Sequence, residues 1–420
     1  MKYLLALAVR SAWNRKLTLG LTLLSIALSV ALLLGVERVR QDAQESFEQS
    51  VSGTDLVIGA RTSPVQLMLY AVFHIGDATN NLHWQTYLDI AANPAVAWTI
   101  PVSMGDSHHG FPVVGTTPDY FAHFHYGESQ PLAFSGGKQF AGLFDAVVGA
   151  EVAEHLGYRV GDKITLSHGM GDIGLAEHAD KPFTVTGILA RTGTPVDRTV
   201  HVGLEAIEAI HLDWQGGAKI PGFAIPAEYA KKFDLTPKEV TAILIGLKSR
   251  AGVFKMQRYI NEYHAEPLLA VLPGVALDQL WQVVGVAERA LLAVSGMVVA
   301  VGLCGLIAVI LASLNERRRE LAILRSVGAR PVDVFLLLSA EGLFITLSGM
   351  LLGMVLLTAL TATFAPLIQS HYGLVIVPKF ISYDEFGLLG IVMGISLLAS
   401  LMPGYGAYKL SLSDGLTPRI

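Results

Sequence analysis

The chain reads as an integral membrane protein of four transmembrane α-helices, with an α+β domain inserted between the first helix and the second. Three observations predict this. Of 420 residues, 52% are apolar and only 15% charged, against roughly 25% charged in ordinary soluble chains, and mean hydropathy is +0.49. Four segments, 17–36, 290–314, 334–364 and 386–405, reach the ~20 residues that a hydrocarbon core requires. The stretch 37–289 has ordinary charge content and many turn residues, and it reads as one water-exposed region.

A cleaved signal peptide is the alternative for segment 17–36. Signal cores run to ~7–15 apolar residues and end in a small-x-small site. This segment is longer and ends ALLLGVERV without such a site, so the sequence favours an uncleaved anchor.

Basic residues set the orientation. Lys2, Arg10, Arg15 and Lys16 precede the first span with no acidic residue among them. Five arginines (Arg317, Arg318, Arg319, Arg325 and Arg330) lie between spans two and three, whereas the loop between spans three and four has only Lys379. Segments 1–16, 315–333 and 406–420 are therefore expected on the cytoplasmic side of a bacterial inner membrane. The region 37–289 and the short loop 365–385 are expected in the periplasm. The sole cysteine, Cys304, falls in span two, so no disulfide braces the exported region.

Outside the membrane, the polar run 37–51 has no Gly or Pro before Gly53 and is expected to continue the first helix as a stalk. Segment 280–288 is the matching candidate before span two. TDLVIGA, FPVVGTT, DAVVGAE, KITLSHG, FTVTGIL and VTAILIGLK read as strands, with helices at 151–156, 204–210 and 253–263. The apolar run 65–73 suits either a buried core helix or a segment resting on the outer leaflet.

The order VVGTTPDYF, DAVVGAEVAEHLGYRVGDKITL, FTVTGILARTGTPVDRTVHV resembles the periplasmic core region of MacB-type permeases. These belong with LolC, LolE and FtsX in one class of ABC-transporter membrane subunit. NERRRELAILRSVGAR is similar to that family's cytoplasmic loop, and ASLMPGYGAYKLSLSDGLTPRI to its proline-containing last span and basic tail. The resemblance implies that the loop carries a coupling helix docking on an ATPase. Leu321 and Leu324 share a helix face, as do Leu324 and Gly328. Glu316, Arg319, Glu320 and Arg325 offer charges of both signs, and Gly328 with Pro331 ends the helix. Arginines placed only to fix topology would not call for interleaved glutamates, an apolar face and a terminating glycine.

No G-x-x-x-x-G-K-[ST] phosphate loop is present, so the chain is not expected to be an enzyme by itself. ATP and Mg²⁺ belong on a partner ATPase. About 16 residues precede the first span, where MacB carries its fused ATPase, so the resemblance implies a separate ATPase subunit. It further implies a second permease copy or paralogue as dimer partner, and a periplasmic adaptor, substrate-binding or effector protein. Membrane lipids are the surroundings, and nothing points to nucleic acid. The expected function is mechanotransmission: ATP-driven movement of the periplasmic domains that expels or hands over an amphiphilic, lipoprotein or other periplasmic substrate. Alternatives are an FtsX-like signal transmitter and a zinc-handling permease.

Glu341 is the one charge within the spans, expected to be neutralised by a partner near the cytoplasmic face or to serve a relay. Twelve of the 13 histidines lie in 37–289 and the other, His371, in the outer loop. If FAHFHY is a strand, His123 and His125 share a face and could ligate Zn²⁺ with His108 or His109. A second group is His168, Asp172, Glu177, His178 and Asp180. Surface or hydrogen-bonded histidines are the alternative for both groups.

Overall fold

A computed structural model describes residues 16–169, 177–215, 218–220, 225–316, 326, 328–372 and 382–409. The chain divides into two compact units, one built from residues 1–42, 285–367 and 376–420, the other from 43–284 and 368–375.

The first unit is helical. Its long helices are Lys16–Gln49, Pro273–Glu316, Pro331–Tyr372 and Tyr383–Lys409. Among the described residues three helices are long and apolar enough to cross a membrane, with qualifying stretches Lys16–Asp42, Pro273–Ala312 and Pro331–Phe364. The fourth predicted span falls on Tyr383–Lys409, whose apolar stretch Glu385–Leu401 is shorter. On the first helix Leu17, Leu21, Leu24, Leu28 and Leu32 recur every three or four residues and are exposed, a stripe that suits hydrocarbon and not water. The opposite side, with Ile26, Val30, Leu33 and Leu34, joins a core with Leu303, Leu306, Ile310, Leu338 and Val392.

Small residues let these helices approach closely, since apolar surface gives helices no driving force to associate in lipid. Gly349 and Gly353 form a G-x-x-x-G pair on the third helix. A Cβ at Gly353 would stand 2.7 Å from the Ala27 carbonyl oxygen, and one at Gly349 2.8 Å from Ile26. Polar contacts complete the packing: Ser29 Oγ donates to Val298 O (3.3 Å), and Thr346 pairs with Ser396.

The first helix and the start of the last are joined by charge. Arg38 Nε donates to Glu385 Oε1 at 2.6 Å and Nη2 to Oε2 at 3.4 Å, with the carboxylate almost fully buried. Glu385 also closes a capping box: the Ser382 backbone N–H donates to Glu385 Oε2 (3.0 Å) and the Glu385 N–H to Ser382 Oγ (3.3 Å).

The second unit is a mixed sheet clad with helices on both faces. Its main strand order is Leu268–Val271, Leu56–Ala60, Ala242–Leu247, Val96–His108, Phe111–Thr116, Val200–Gly203, Asp145–Val148, Phe183–Leu189, Phe134–Gly137. Neighbours are antiparallel except Phe111–Thr116 with Val200–Gly203 and Asp145–Val148 with Phe183–Leu189. Side chains alternate faces along a strand, and here both faces are buried. Val57, Val114 and Val147 point into a core shared with the helix Pro64–Ala71 and the short helix Asp119–His123. Their neighbours Leu56 and Ile58 join Ile90, Met256 and Ile260 from helices Trp84–Ala91 and Val253–Asn261. Val113, Ala146 and Val148 pack on Val152 and Ile210 from helices Ala150–Leu156 and Leu204–His211.

One expectation is corrected and one choice is decided. FAHFHY is not a strand: Asp119–His123 is helical, begun behind Pro118, and only His125–Tyr126 is extended. Of the two readings of the apolar run 65–73, the buried core helix is the one seen: Pro64–Ala71 is helical, capped by Ser63 Oγ accepting from the Gln66 N–H, with Leu67, Met68 and Tyr70 buried.

The glycine contacts yield a stability prediction. Gly353→Ile should lower the unfolding midpoint of the detergent-solubilised protein, costing about 1–3 kcal/mol by overpacking. Gly296→Ala, facing open space, should leave the midpoint unchanged. Equal melting of both variants would contradict the packing.

Burial of histidine gives a second. His74 accepts from or donates to Thr199 Oγ1 at 2.9 Å, and burial holds it down to about 4. His201 lies against Tyr120 and Phe121, and burial, then the neighbouring His74, pushes it to about 3. Above about pH 6.5 both rings are neutral whether the chain is folded or not. Below it only the unfolded chain takes up these protons, so stability falls as pH drops from about 6.5 toward 4. Thermal melts across that range should show the midpoint falling, less steeply in His201→Phe. An identical slope in the variant would refute the assignment.

Candidate functional site

The predicted coupling segment begins where helix Pro273–Glu316 ends. Arg319, Glu320, Leu321, Leu324 and Arg325 lie outside the described residues, as do the first 15 residues, the loop around Lys379 and the closing tail from 410. Gly328 is described and has φ +104°, a left-handed conformation that a side chain would strain. The chain then turns into the next helix at Pro331, the favoured residue for a first helical position. Asp333 fixes that start: its Oδ2 accepts from the Arg330 N–H at 2.8 Å, and its own N–H bonds Arg330 O at 2.9 Å. The helix that follows the loop thus has a sharply defined start. Glu341 is half-buried within the second of them.

The four histidines named as metal candidates do not converge. His108 is buried, its Nδ1 2.6 Å from Thr165 O and its Nε2 2.8 Å from Tyr158 Oη. His109 and Gly110, both at positive φ, form the tip of the hairpin that pairs His108 with Phe111. His123 stacks flat on Trp98 with ring centroids 5.4 Å apart. His125 Nδ1 lies 2.7 Å from His123 O.

A different set converges: Asp106, His168, His178 and His211 each offer a ligand atom, all within 4.8 Å of one another. Local structure explains the arrangement. The strand Val96–His108 shifts register between Met104 and Ser107, with Gly105 at φ +145°. This bulge carries the buried Asp106, as bulges commonly re-aim a side chain. His168 sits opposite Asp106 on the two-residue strand Ser167–His168. His211 closes helix Leu204–His211, and its Nδ1 lies 2.8 Å from Ile207 O, leaving Nε2 turned away toward the cluster. His178 follows the Ser167–Glu177 bridge, and its N–H donates to Leu166 O.

His168 Nδ1 is 3.2 Å from both Asp106 Oδ1 and His211 Nε2, and His211 Nε2 is 3.7 Å from Asp106 Oδ1. Trp214 covers the group, its ring centroid 4.3 Å from that of His178, 5.5 Å from His168 and 5.9 Å from His211. Burial first, then the neighbouring His211, lowers His178 to about 4, whereas the bond to Asp106 raises His168. Lys181, buried nearby, is paired with Asp213 at 2.5 Å and Asp180 at 3.6 Å. The sequence offered His168 and His178 as neighbours in one group, but Asp106 and His211 are joined to them only by folding. Asp172 lies outside the described residues.

Comparison with known proteins agrees with the two-unit build. Residues 19–260 match the MacB-like periplasmic core domain, and residues 292–412 match the FtsX-like permease C-terminal model. The lipoprotein-releasing system transmembrane protein LolC of Neisseria meningitidis serogroup B is 23% identical over 308 residues, spanning 69% of each chain. The extracellular domain of the noncanonic ABC-type transporter YknZ from Gram-positive bacteria aligns with 52% of this chain and 98% of its own, at 12% identity; its TM-score of 0.30 is too low to carry weight. With the core-domain match alone spanning more than half the sequence and the permease match following it, the chain belongs to the MacB/LolC/FtsX class of ABC-transporter permeases.

Proposed function

We propose that this permease is a mechanotransmitter driven by a separate cytoplasmic ATPase, which binds the loop between helices Pro273–Glu316 and Pro331–Tyr372. The observation that carries the reading is the loop itself: NERRRELAILRSVGAR is too charged for hydrocarbon, amphipathic at helical spacing, and set between two long helices. Glu316, Arg319, Glu320, Leu321, Leu324, Arg325 and Gly328 are the assigned contact segment. ATP and Mg²⁺ are held by the partner, and a second permease copy or paralogue completes the assembly.

Helix length supports transmission. At 1.5 Å per residue, 44 residues in Pro273–Glu316 and 34 in Lys16–Gln49 span about 66 and 51 Å, well beyond a hydrocarbon core of ~30 Å. A displacement at the loop would therefore reach residues outside the membrane along unbroken helix. In this reading the four long helices are the spans, both termini and the loop are cytoplasmic, and 37–289 is periplasmic. The apolar segments 17–36, 290–314, 334–364 and 386–405 carry a single charge, Glu341, so they offer little polar lining for a route across. Substrate is instead handled on the periplasmic side, and the likeness to a lipoprotein-releasing protein supports an amphiphilic or lipidated substrate. Activation of a periplasmic partner protein is the competing outcome, and it predicts ATP hydrolysis insensitive to any amphiphile.

Arg325→Glu should insert normally yet lose the ATPase in a detergent pull-down, with affinity reduced at least ~30-fold, about 2 kcal/mol for reversing one charge in an interface. Wild-type capture by the variant would remove the assigned contact.

A further inference from the structure

We propose that Asp106, His168, His178 and His211 form a binding site for a divalent transition-metal cation, with Zn²⁺ the occupant its chemistry favours.

Ligand type and number come first. Three imidazoles and one carboxylate make a four-ligand set of the kind Zn²⁺ takes in tetrahedral geometry. Calcium and magnesium prefer oxygen, and nitrogen donors select against them. Spacing agrees. With metal–ligand bonds of ~2.0–2.1 Å, the edges of a regular tetrahedron are about 3.4 Å. The observed separations of 3.2, 3.2 and 3.7 Å among His168 Nδ1, His211 Nε2 and Asp106 Oδ1 bracket that edge. The fourth ligand atom, on His178, lies within the same 4.8 Å envelope.

Hydrogen bonding alone leaves the cluster incomplete. His178 is fully buried, and neither ring nitrogen has a hydrogen-bond partner among the described residues. Buried polar atoms are ordinarily partnered, and each exception calls for an explanation. His211, with Nδ1 donating to Ile207 O, presents a bare lone pair on Nε2. Asp106 is an acceptor only when ionised. One proton on His168 Nδ1 then faces two acceptors, and His178 remains outside the network. A cation at the centre satisfies all four at once.

The surroundings fit the same reading. The carbonyl of Ile207 fixes the His211 tautomer, as outer hydrogen bonds do for metal-bound histidines. Lys181, the nearby buried cation, already has its charge met by Asp213 and Asp180. His168 and His211 keep 34% and 26% of their side chains exposed, which gives an ion a way in. The ligands come from a bulged strand, a short paired strand, a loop and a helix end, spread over positions 106 to 211. Loading would tie these segments together.

The test uses the full chain in detergent, free of any polyhistidine tag and stripped with a chelator. Titration with ZnCl₂ by calorimetry should show one tight equivalent per chain. His211→Gln and Asp106→Asn should each weaken it roughly a hundredfold or more, since even outer-shell changes cost 10–100-fold. The double variant His123→Ala/His125→Ala should bind as wild type. Titration of wild type with CoCl₂ gives a readout that no variant's misfolding can obscure: an intense visible spectrum of tetrahedral Co²⁺ is expected. The proposal is overturned if wild type takes up no tight equivalent, if the Co²⁺ spectrum is the weak octahedral one, if His211→Gln binds normally, or if the His123/His125 variant loses the ion.

Discussion

The sheet unit depends on one strand. Residues 96–102 of Val96–His108 pair with Ala242–Leu247, and residues 103–108 pair with Phe111–Thr116. The two halves of the main sheet therefore share a single backbone, and no other described strand joins them. Within its pairing with Phe111–Thr116 the strand bulges at Gly105, and Asp106 is delivered into the histidine cluster. One local irregularity in the shared strand thus builds the polar cluster.

The membrane unit depends on a different constraint: close backbone approach. Gly349 and Gly353 admit the first helix, a Cβ at Gly342 would stand 2.9 Å from Ser400 Cβ, and hydroxyls fill remaining gaps. A strong ionic contact, Arg38 with Glu385, joins the first helix to the start of the last, where the capping box at Ser382 holds the carboxylate in place. Burying a pair of charges is costly unless geometry and extra hydrogen bonds compensate, and both are present here.

Much of the fold was legible in the sequence because its signals were local. Strands such as FTVTGIL alternate strictly, with Phe183, Val185, Gly187 and Leu189 facing one way. Helices Ala150–Leu156 and Leu204–His211 announce themselves by spacing. The shared strand was not legible. Pro101 in its middle argues against a central strand, Gly105 reads as a turn, and the run MGDSHH carries no alternation. FAHFHY misled for the opposite reason: its alternation is real, but Pro118 and Asp119 start a helical turn that places His123 on Trp98. The metal-competent group was half visible. His168 and His178 stand ten residues apart, whereas Asp106 and His211 arrive through sheet register and a helix end, neither of which spacing reveals.

Transmission is the central claim, and distance is its most direct measure. A spin label at Glu228→Cys, an exposed position in the sheet unit, in a Cys304→Ser background would report the separation between two copies in the assembled complex by pulsed dipolar spectroscopy. The account predicts that the distance distribution changes between the nucleotide-free state and a state trapped with an ATP analogue. An ATPase-active complex whose distribution is the same in both states would contradict it.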